Sequence, residues 1–335
     1  ACPCAMGLAT PAAIAVGMGR AARNGILFRR ADSLELFKNI RQVVFDKTGT
    51  LSTGSFMVSR FEILDQTLSE PDFKRILFSL EKYSNHPIAK SIARSWKSQP
   101  EIRWTKLEEV KGLGIRASDA MGNEYKAGSA KFFPEETDSG HAIYISKNGR
   151  RIGWVDIQDE LRPEAAEVVR YFRERNLRTI LLSGDREEKC REIAAILGID
   201  EVIAEQSPAQ KLEQIERLSA IGPTAMVGDG INDAPALAKA SLGISMSEAS
   251  QIAMQTADVV LMNSGLKKLP FSLQLGKQTY LTIRQNLFWA FFYNIIAIPV
   301  AALGFLTPAV GALAMALSDV VLLINSSRLF VKKLL

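Results

Sequence analysis

The stretch VVFDKTGTLSTG, Val43 to Gly54, ends an apolar run in a single carboxylate, Asp46, followed at once by Lys47, Thr48, Gly49 and Thr50. A carboxylate is a weak nucleophile, yet it accepts a phosphoryl group when cations neutralise the incoming phosphate and hydroxyls or backbone N–H groups hold its oxygens. The neighbours of Asp46 are of those types. Farther along, VGDGINDAP places Asp229, Asn232 and Asp233 among glycines that let the backbone approach closely, a set suited to holding Mg²⁺ beside a phosphate. Lys211, just after Ser207-Pro208 at the start of an amphipathic run, is a second candidate cation, and Ser183-Gly184-Asp185 adds a hydroxyl and another carboxylate. No GxxxxGK loop occurs, so a nucleotide has to be held by other means.

A second chemistry stands at the N-terminus. Cys2-Pro3-Cys4 lies inside an apolar segment, where proline donates no N–H and opens the preceding helical turn, so that two thiols can converge on one point. Two thiolates select soft ions: Cu(I) first, with Zn²⁺ and Cd²⁺ left open. The third cysteine, Cys190, is alone in a helix-like run, and nothing in the spacing indicates a disulfide framework.

The elements that must position these groups follow from pattern. Short β-rich runs (RQVVFD, RTILLSGD, EVIAE, TAMVGDG, LGISM, DVVLM) alternate with helical stretches such as Arg162 to Asn176 and Ala209 to Ala220. That alternation predicts an α/β fold with a doubly wound parallel sheet, whose chemistry gathers at the carboxyl ends of the strands. Asp46, Ser183 to Asp185 and Gly228 to Gly230 all fall at such ends. Residues 57–153 break the rhythm and read as an α+β insertion. In it a helix pair (Glu70 to Leu80, Pro87 to Lys97) precedes short strands in TKLEEVKGLGIRAS, EYKAG and HAIYISKNGRRIGWVDI, with His141 starting a strand in a structural role.

At 335 residues the chain is long enough for two or three domains, and its apolar excess is concentrated at the two ends. Residues 286–306 and 307–326 each approach the roughly 20 residues needed to cross a bilayer, with Asp319 the one charge between them. Lys277 and Arg284 before the pair, and Arg328, Lys332 and Lys333 after it, place both ends on the cytoplasmic side. The net charge of +5 is accounted for largely by such juxtamembrane cations facing anionic lipid, and no basic stripe interleaved with aromatics suggests nucleic acid. Residues 1–19 read as the second half of a membrane span rather than a signal peptide, which implies a C-terminal piece of a larger membrane protein.

DKTGT, SGD and GDGINDAP, in that order, resemble the phosphorylation domain of P-type ATPases, a branch of the haloacid dehalogenase-like superfamily. The resemblance implies a phosphorylation domain over 20–56 and 154–275, an inserted nucleotide-binding domain over 57–153, and two C-terminal membrane helices within 276–335. It implies ATP and Mg²⁺ as cofactors, Asp46 as the phosphorylated residue, and Mg²⁺ at Asp46, Thr48 and Asp229. Lys47, Thr48, Ser183, Gly184, Asp185, Lys211, Asn232 and Asp233 complete the implied catalytic set, Ser183 standing where the family usually has Thr. Hydrolytic relatives carry a second Asp two residues after the nucleophile. Thr48 occupies that place here, so an aspartyl phosphate should persist rather than hydrolyse at once.

EKYSNHPIAKSI resembles the His-Pro motif of the heavy-metal branch, which implies that His86, with Glu81, contacts adenine. Gly112 and Gly114 match that branch's GxG, and Gly128 the glycine of a Gly-Asn pair whose Asn is replaced by Ser129. Cys-Pro-Cys resembles its ion site, and Tyr293, Asn294 and Met315 resemble further ion-site residues of the copper subgroup. That subgroup ends in Met-x-x-Ser-Ser, whereas here Asp319 takes the second Ser position; a carboxylate is a harder ligand that could admit a divalent ion or balance charge. The implied function is Cu(I) export from the bacterial cytoplasm across the plasma membrane, with Zn²⁺ or Cd²⁺ transport as the alternative and a metallochaperone as a further partner. A soluble phosphatase would need an acid at Thr48 and no membrane hairpin, and a non-catalytic scaffold would tolerate loss of Asp46. Earlier spans and a TGE actuator loop are expected outside these residues, so the 335 alone should bind nucleotide without completing a cycle.

Overall fold

The computed structural model describes residues 4–97, 101–133, 140–229, 233–246, 251–262 and 265–334, except the side chains of Cys4 and Ala253. Cys2 and Asn232 therefore lie outside the described residues. The chain forms two compact units, one of Ala1–Leu51 with Arg162–Leu335 and one of Ser52–Leu161. The inserted unit is thus longer at both ends than residues 57–153, because the strands that carry the chain out and back are paired with each other.

The first unit is built on a seven-stranded sheet: β1 (Ile26–Phe28), β2 (Gln42–Phe45), β9 (Arg178–Leu182), β10 (Glu201–Ile203), β11 (Thr224–Gly228), β12 (Leu242–Met246) and β13 (Val259–Leu261). The strands are ordered β1-β13-β12-β11-β2-β9-β10, all parallel except β1, which runs antiparallel to β13 at the edge. β1 is absent from the sequence reading, since three residues at an edge carry too little periodicity to register. Every residue of β2, β11, β12 and β13 is buried, which is why these strands read as unbroken apolar runs. Val44 packs on one face against Ile215 and Leu218 of helix α7 (Pro208–Ile221), while Phe45 meets Phe172 of helix α5 (Ala165–Arg173). Helices therefore cover both faces of the sheet, as a doubly wound fold requires.

Three further helices of this unit pack on one another: α1 (Cys4–Arg23), α10 (Leu269–Ala302) and α11 (Pro308–Val331). In α1 a small residue recurs every fourth position, Ala5, Ala9, Ala13, Gly17 and Ala21, and all are buried, the spacing that lets helices pack closely in lipid. A methyl group on Gly17 would come within 2.7 Å of the Thr279 hydroxyl on α10. Asn286 of α10 is fully buried where the three meet, donating to the Ala9 carbonyl and the Ser326 hydroxyl, each at 2.9 Å, and accepting from Asn325 at 2.9 Å. Among the described residues, two helices are long and apolar enough to cross a membrane, with only 11% of each apolar window buried in the protein. Phe288, Trp289, Ile295, Leu313, Leu323 and Ile324 project outward, so these helices present exposed apolar faces.

The sequence places the first span at 286–306, but its helix begins at Leu269. The added segment is amphipathic and packs on the parallel-sheet side, with Leu269, Leu273 and Leu275 buried and Gly276 pressed against Phe37 and the Leu34 carbonyl of helix α2 (Ser33–Leu36). One unbroken helix therefore runs from its seat on α2 into the apolar bundle.

The second unit is a six-stranded antiparallel sheet ordered β3-β8-β7-β6-β5-β4, from β3 (Ser52–Ile63), β4 (Lys106–Val110), β5 (Gly114–Ser118), β6 (Glu124–Gly128), β7 (Ile143–Lys147) and β8 (Arg150–Leu161). Helices α3 (Glu70–Glu81) and α4 (Pro87–Ser95) bury Phe73, Leu77, Leu80 and Ile92 against Ile115 and Ile145 of the sheet. β3 is a further element missing from the sequence reading; its side chains are mostly half-buried or exposed, and charged Arg60 and Glu62 interrupt its apolar pattern.

Candidate functional site

Strand order decides what surrounds Asp46. β2 lies between β11 and β9, with Phe45 in register with Val227 on one side and Leu181 on the other. One residue later, Asp46 leaves the sheet with its N–H held by the Val227 carbonyl at 2.9 Å. The end of β11 then delivers Asp229 beside it, and the end of β9 delivers Ser183 and Asp185. Asp185 forms an ion pair with Lys47 and donates its N–H to the Ser183 hydroxyl at 3.2 Å.

Lys211 arrives from another direction. A capping box, in which Ser207 and Gln210 bond reciprocally, fixes the start of α7 with Pro208 in its first turn, so Lys211 sits one turn in. Its ammonium donates to Asp46 and, at 2.9 Å, to Asp233, and all three side chains are under 10% exposed. Burial alone would lower the Lys211 pKa, but the charges of Asp46 and Asp233 more than offset it and hold the amine cationic. For Asp46, burial first and the Asp233 charge second push the carboxyl up to about 7, against the opposing pull of Lys211. Carboxylate oxygens of Asp46, Asp229 and Asp233 all lie within 4.8 Å of one another. Such mutually repelling oxygen donors fit a hard divalent cation, and Mg²⁺ is the ion this donor set suits.

Two features of the loop escaped the sequence reading. Gly49 has φ +74°, and a Cβ there would lie 1.5 Å from an Asp229 oxygen, so the glycine is required by the acidic cluster itself. Arg162, at the return into the first unit, is buried and donates Nη2 to the Gly49 carbonyl at 3.0 Å, bracing the loop across 113 residues of sequence. Gly49→Ala is expected to displace Asp229 and weaken Mg²⁺ affinity by about tenfold or more, read as the Mg²⁺ concentration needed to raise the melting temperature.

The second unit holds a separate pocket of about 190 Å³ lined by Glu81, Ser84, His86, Glu109, Gly112, Gly114 and Gly128, among others. His86 caps α4: its Nδ1 accepts from the Ile88 N–H at 3.3 Å, which leaves the ring proton on Nε2. Gly114 and Gly128 face each other across β5 and β6, where a Cβ would lie 2.1 Å from the Ala127 carbonyl and 2.2 Å from the Leu113 carbonyl, respectively. Their missing side chains serve strand packing. Gly112, at φ +77°, is the one of the three with open space around it. His141 stacks on Trp154 with ring centres 3.6 Å apart and bonds Asp156.

Between α10 and α11 a third cavity of about 360 Å³ is lined by Tyr293, Asn294, Gly311 and Met315. Tyr293 donates to the Gly311 carbonyl at 3.3 Å and Asn294 to Ala290 at 2.8 Å. Asp319 lies one helical turn beyond Met315, with one carboxylate oxygen buried and without a hydrogen-bond partner among the described residues. Cys4 is the first residue of α1.

A doubly wound sheet carries an aspartate at the end of its interior strand β2, beside a lysine and two further aspartates, an arrangement of buried oxygen donors suited to a divalent cation. The sequence profile of the haloacid dehalogenase-like hydrolases matches residues 40–241, and the chain belongs to that family. Within it, the chain is homologous to P-type ATPases. A copper-exporting P-type ATPase of Staphylococcus saprophyticus is 38% identical, aligned over 98% of this chain and 43% of the relative. Among solved structures, a zinc-transporting PIB-type ATPase in its E2.Pi state superposes with a TM-score of 0.89 at 30% identity, covering 98% of this chain and 56% of that one. The catalytic domain of a CPx-ATPase, CopB-B, superposes with a TM-score of 0.63 at 28% identity, covering 78% of this chain and 98% of the other. The chain spans less than half the length of the curated relatives it matches.

Proposed function

We propose that the protein is an ATP-driven heavy-metal exporter that works through a phosphate carried on Asp46, and that its ion is Cu(I). The observation that carries the reading is the buried Asp46 carboxylate at the end of β2, held by the Lys211 ammonium beside two further carboxylates. An Asp46 oxygen attacks the γ-phosphorus of ATP, a new O–P bond forms as the bridging β–γ O–P bond breaks, and ADP leaves with the bond electrons. Lys211 and Lys47 stand where they neutralise the transferred group, while the Ser183 hydroxyl and loop N–H groups orient its oxygens. Mg²⁺ held by Asp46 and Asp229, with Thr48 also in its shell and Asp233 near it, would supply charge neutralisation for the phosphate. Thr48 offers no proton shuttle for water, so the acyl phosphate outlives its formation.

The Ser52–Leu161 pocket, with Glu81 and His86, is where the reading places the adenine. Access to the ion site changes through α10, which runs unbroken from its seat on α2 to the cavity at Tyr293 and Met315. Cys2, Cys4 and Met315 form the soft donor set, which favours Cu(I). The partners in this reading are lipid around the outward apolar faces and a metallochaperone on the cytoplasmic side of a bacterial plasma membrane. A Zn²⁺ or Cd²⁺ reading is favoured by one observation, a buried Asp319 oxygen, one helical turn beyond Met315, that has no hydrogen-bond partner among the described residues.

The test of the mechanism is transfer of labelled γ-phosphate to an acid-stable, hydroxylamine-sensitive adduct at Asp46 in the full-length protein. For the ion, Asp319→Ser in the full-length protein is expected to leave activation by Cu(I) in place and to lower activation by Zn²⁺ and Cd²⁺ about tenfold. Loss of Cu(I) activation with Zn²⁺ activation retained would reverse the assignment.

A further inference from the structure

We propose that Asn286 is a positioning residue for the transported ion: it holds the segment of α1 that begins at Cys4, beyond the backbone hydrogen bond that Pro11 removes, against α10 and α11. The inference rests on Cys-Pro-Cys being the ion site and adds what fixes the geometry of that site.

Pro11 lies inside α1 and has no N–H, so the Gly7 carbonyl four residues back loses its intrahelical donor. Residues 4–10 are therefore joined to the rest of α1 less firmly than in a helix without proline, and a helix bends most readily at such a point. The two sides of the proline are held very differently. After it, Gly17 fits against Thr279 of α10, the Arg20 guanidinium donates to the Leu329 carbonyl of α11 and lies over Phe271, and Arg23 lies over Phe330. Before it, Ala5 packs with Ala290 and Leu322, a contact of small area and no direction. The Ala9 carbonyl accepts from Asn286 Nδ2 at 2.9 Å, and among the described residues this is the one hydrogen bond from another helix to residues 4–10.

The Asn286 side chain is fully committed. It is completely buried, gives its amide protons to Ala9 of α1 and Ser326 of α11, and accepts from Asn325 of α11 on its carbonyl, each at 2.9 Å. Asn325 also donates to Gln285 at 3.3 Å. A buried amide is costly unless its polar atoms are paired, and here the pairing ties three helices at one level. Leucine would fill a similar space without that cost; what the amide adds is direction.

The same helix faces continue toward the ion cavity. Asn286, Ala290 and Asn294 recur every four residues on α10, and Ser326, Leu322 and Asp319 follow at four and three residues on α11. Two turns, about 11 Å, separate the amide from Asn294. A shift of residues 4–10 away from this amide therefore also shifts the start of α1 at Cys4 relative to the cavity donors on α10 and α11.

The experiment is equilibrium Cu(I) binding by the full-length protein in detergent, read by competition with a chromophoric Cu(I) chelator and counted as the binding that Cys4→Ser removes, with ADP affinity measured in parallel. Asn286→Leu is expected to weaken Cu(I) binding about tenfold, the scale of losing a group that orients a metal ligand, and to leave ADP affinity unchanged. Ser326→Ala, which removes one acceptor and keeps the amide, should weaken it about threefold, the worth of one interhelical hydrogen bond in a membrane. Pro11→Ala restores the hydrogen bond internal to α1, so in that background Asn286→Leu should cost no more than about threefold. An amide that only stabilises the bundle would cost the same in both backgrounds. Cu(I) affinity of Asn286→Leu within about twofold of wild type, or an equal loss with and without Pro11, overturns the positioning role and leaves the ion site standing. If Asn286→Leu loses ADP binding as well, Ser326→Ala decides, and wild-type Cu(I) affinity in that variant overturns the proposal. Absence of Cys4-dependent Cu(I) binding in the wild type overturns the ion site and the proposal together.

Discussion

Asp46→Asn should lower transfer of labelled γ-phosphate to the protein by at least about a thousandfold, with the fold intact. The amide has the volume of the carboxylate but no nucleophilic anion, and loss of a covalent nucleophile removes the step itself rather than a share of its stabilisation. Residual labelling at wild-type rate would show that the acceptor is another residue. The variant also carries a stability signature. Asp46 has its carboxyl raised to about 7 by burial and neighbouring charge, so the protonated form favours the folded state and that contribution is lost as pH rises through about 7. Asn titrates nowhere in this range and removes the loss, so the melting temperature of Asp46→Asn is expected to gain on wild type between pH 5.5 and pH 8.5 in Mg²⁺-free buffer.

Lys211→Met should act on both rate and stability. Its ammonium lies between two buried carboxylates, and removing one partner of a buried ion pair leaves uncompensated charge, a cost of about 3 kcal/mol or more. Met fills most of the space, so the loss is chiefly electrostatic. Phosphorylation should fall by about a hundredfold, the scale of removing one preorganised charge from a phosphoryl-transfer site. Asp46 also becomes harder to ionise, so the remaining activity shifts to higher pH. Denaturant melts with phosphorylation rates at pH 6.5 and 8.5 test both effects; a rate unchanged at either pH would assign charge neutralisation to Lys47 and Mg²⁺ alone.

One element, α10, joins the α2 side of the first unit to its apolar bundle. α10 is seated against α2 by Gly276, where any side chain would strike Phe37, and farther along the same helix it carries Tyr293 and Asn294 into the apolar bundle. A helix without a break transmits tilt or translation at one end to the other, which a flexible linker would not. Pro299, the proline inside the helix, lies beyond Tyr293 and Asn294 and so outside the connecting stretch.

What was legible in the sequence was what short segments determine for themselves. Val43 to Phe45 are buried on both faces and so form an apolar run that ends at a carboxylate; Ser207-Pro208 with Gln210 starts a helix; Pro308 after Gly304 separates two spans. Each is a local match between residue type and backbone. The parallel sheet, the inserted α+β unit and the membrane pair were accordingly readable. β1 and β3 were not, one being too short and the other too evenly half-buried to show a period.

By itself, then, the sequence determined which strands end in acids, where helices start, and which segments prefer lipid, because these depend on neighbours a few residues away. Only the tertiary structure decided that Arg162 braces Gly49, that Lys211 bridges Asp46 and Asp233, that Glu109 and Glu81 line one pocket, and that α10 begins at Leu269 and packs on α2. Those contacts join residues tens to more than a hundred positions apart. Their geometry follows from strand order and helix packing, which bring distant side chains together for reasons that no single stretch of the chain contains.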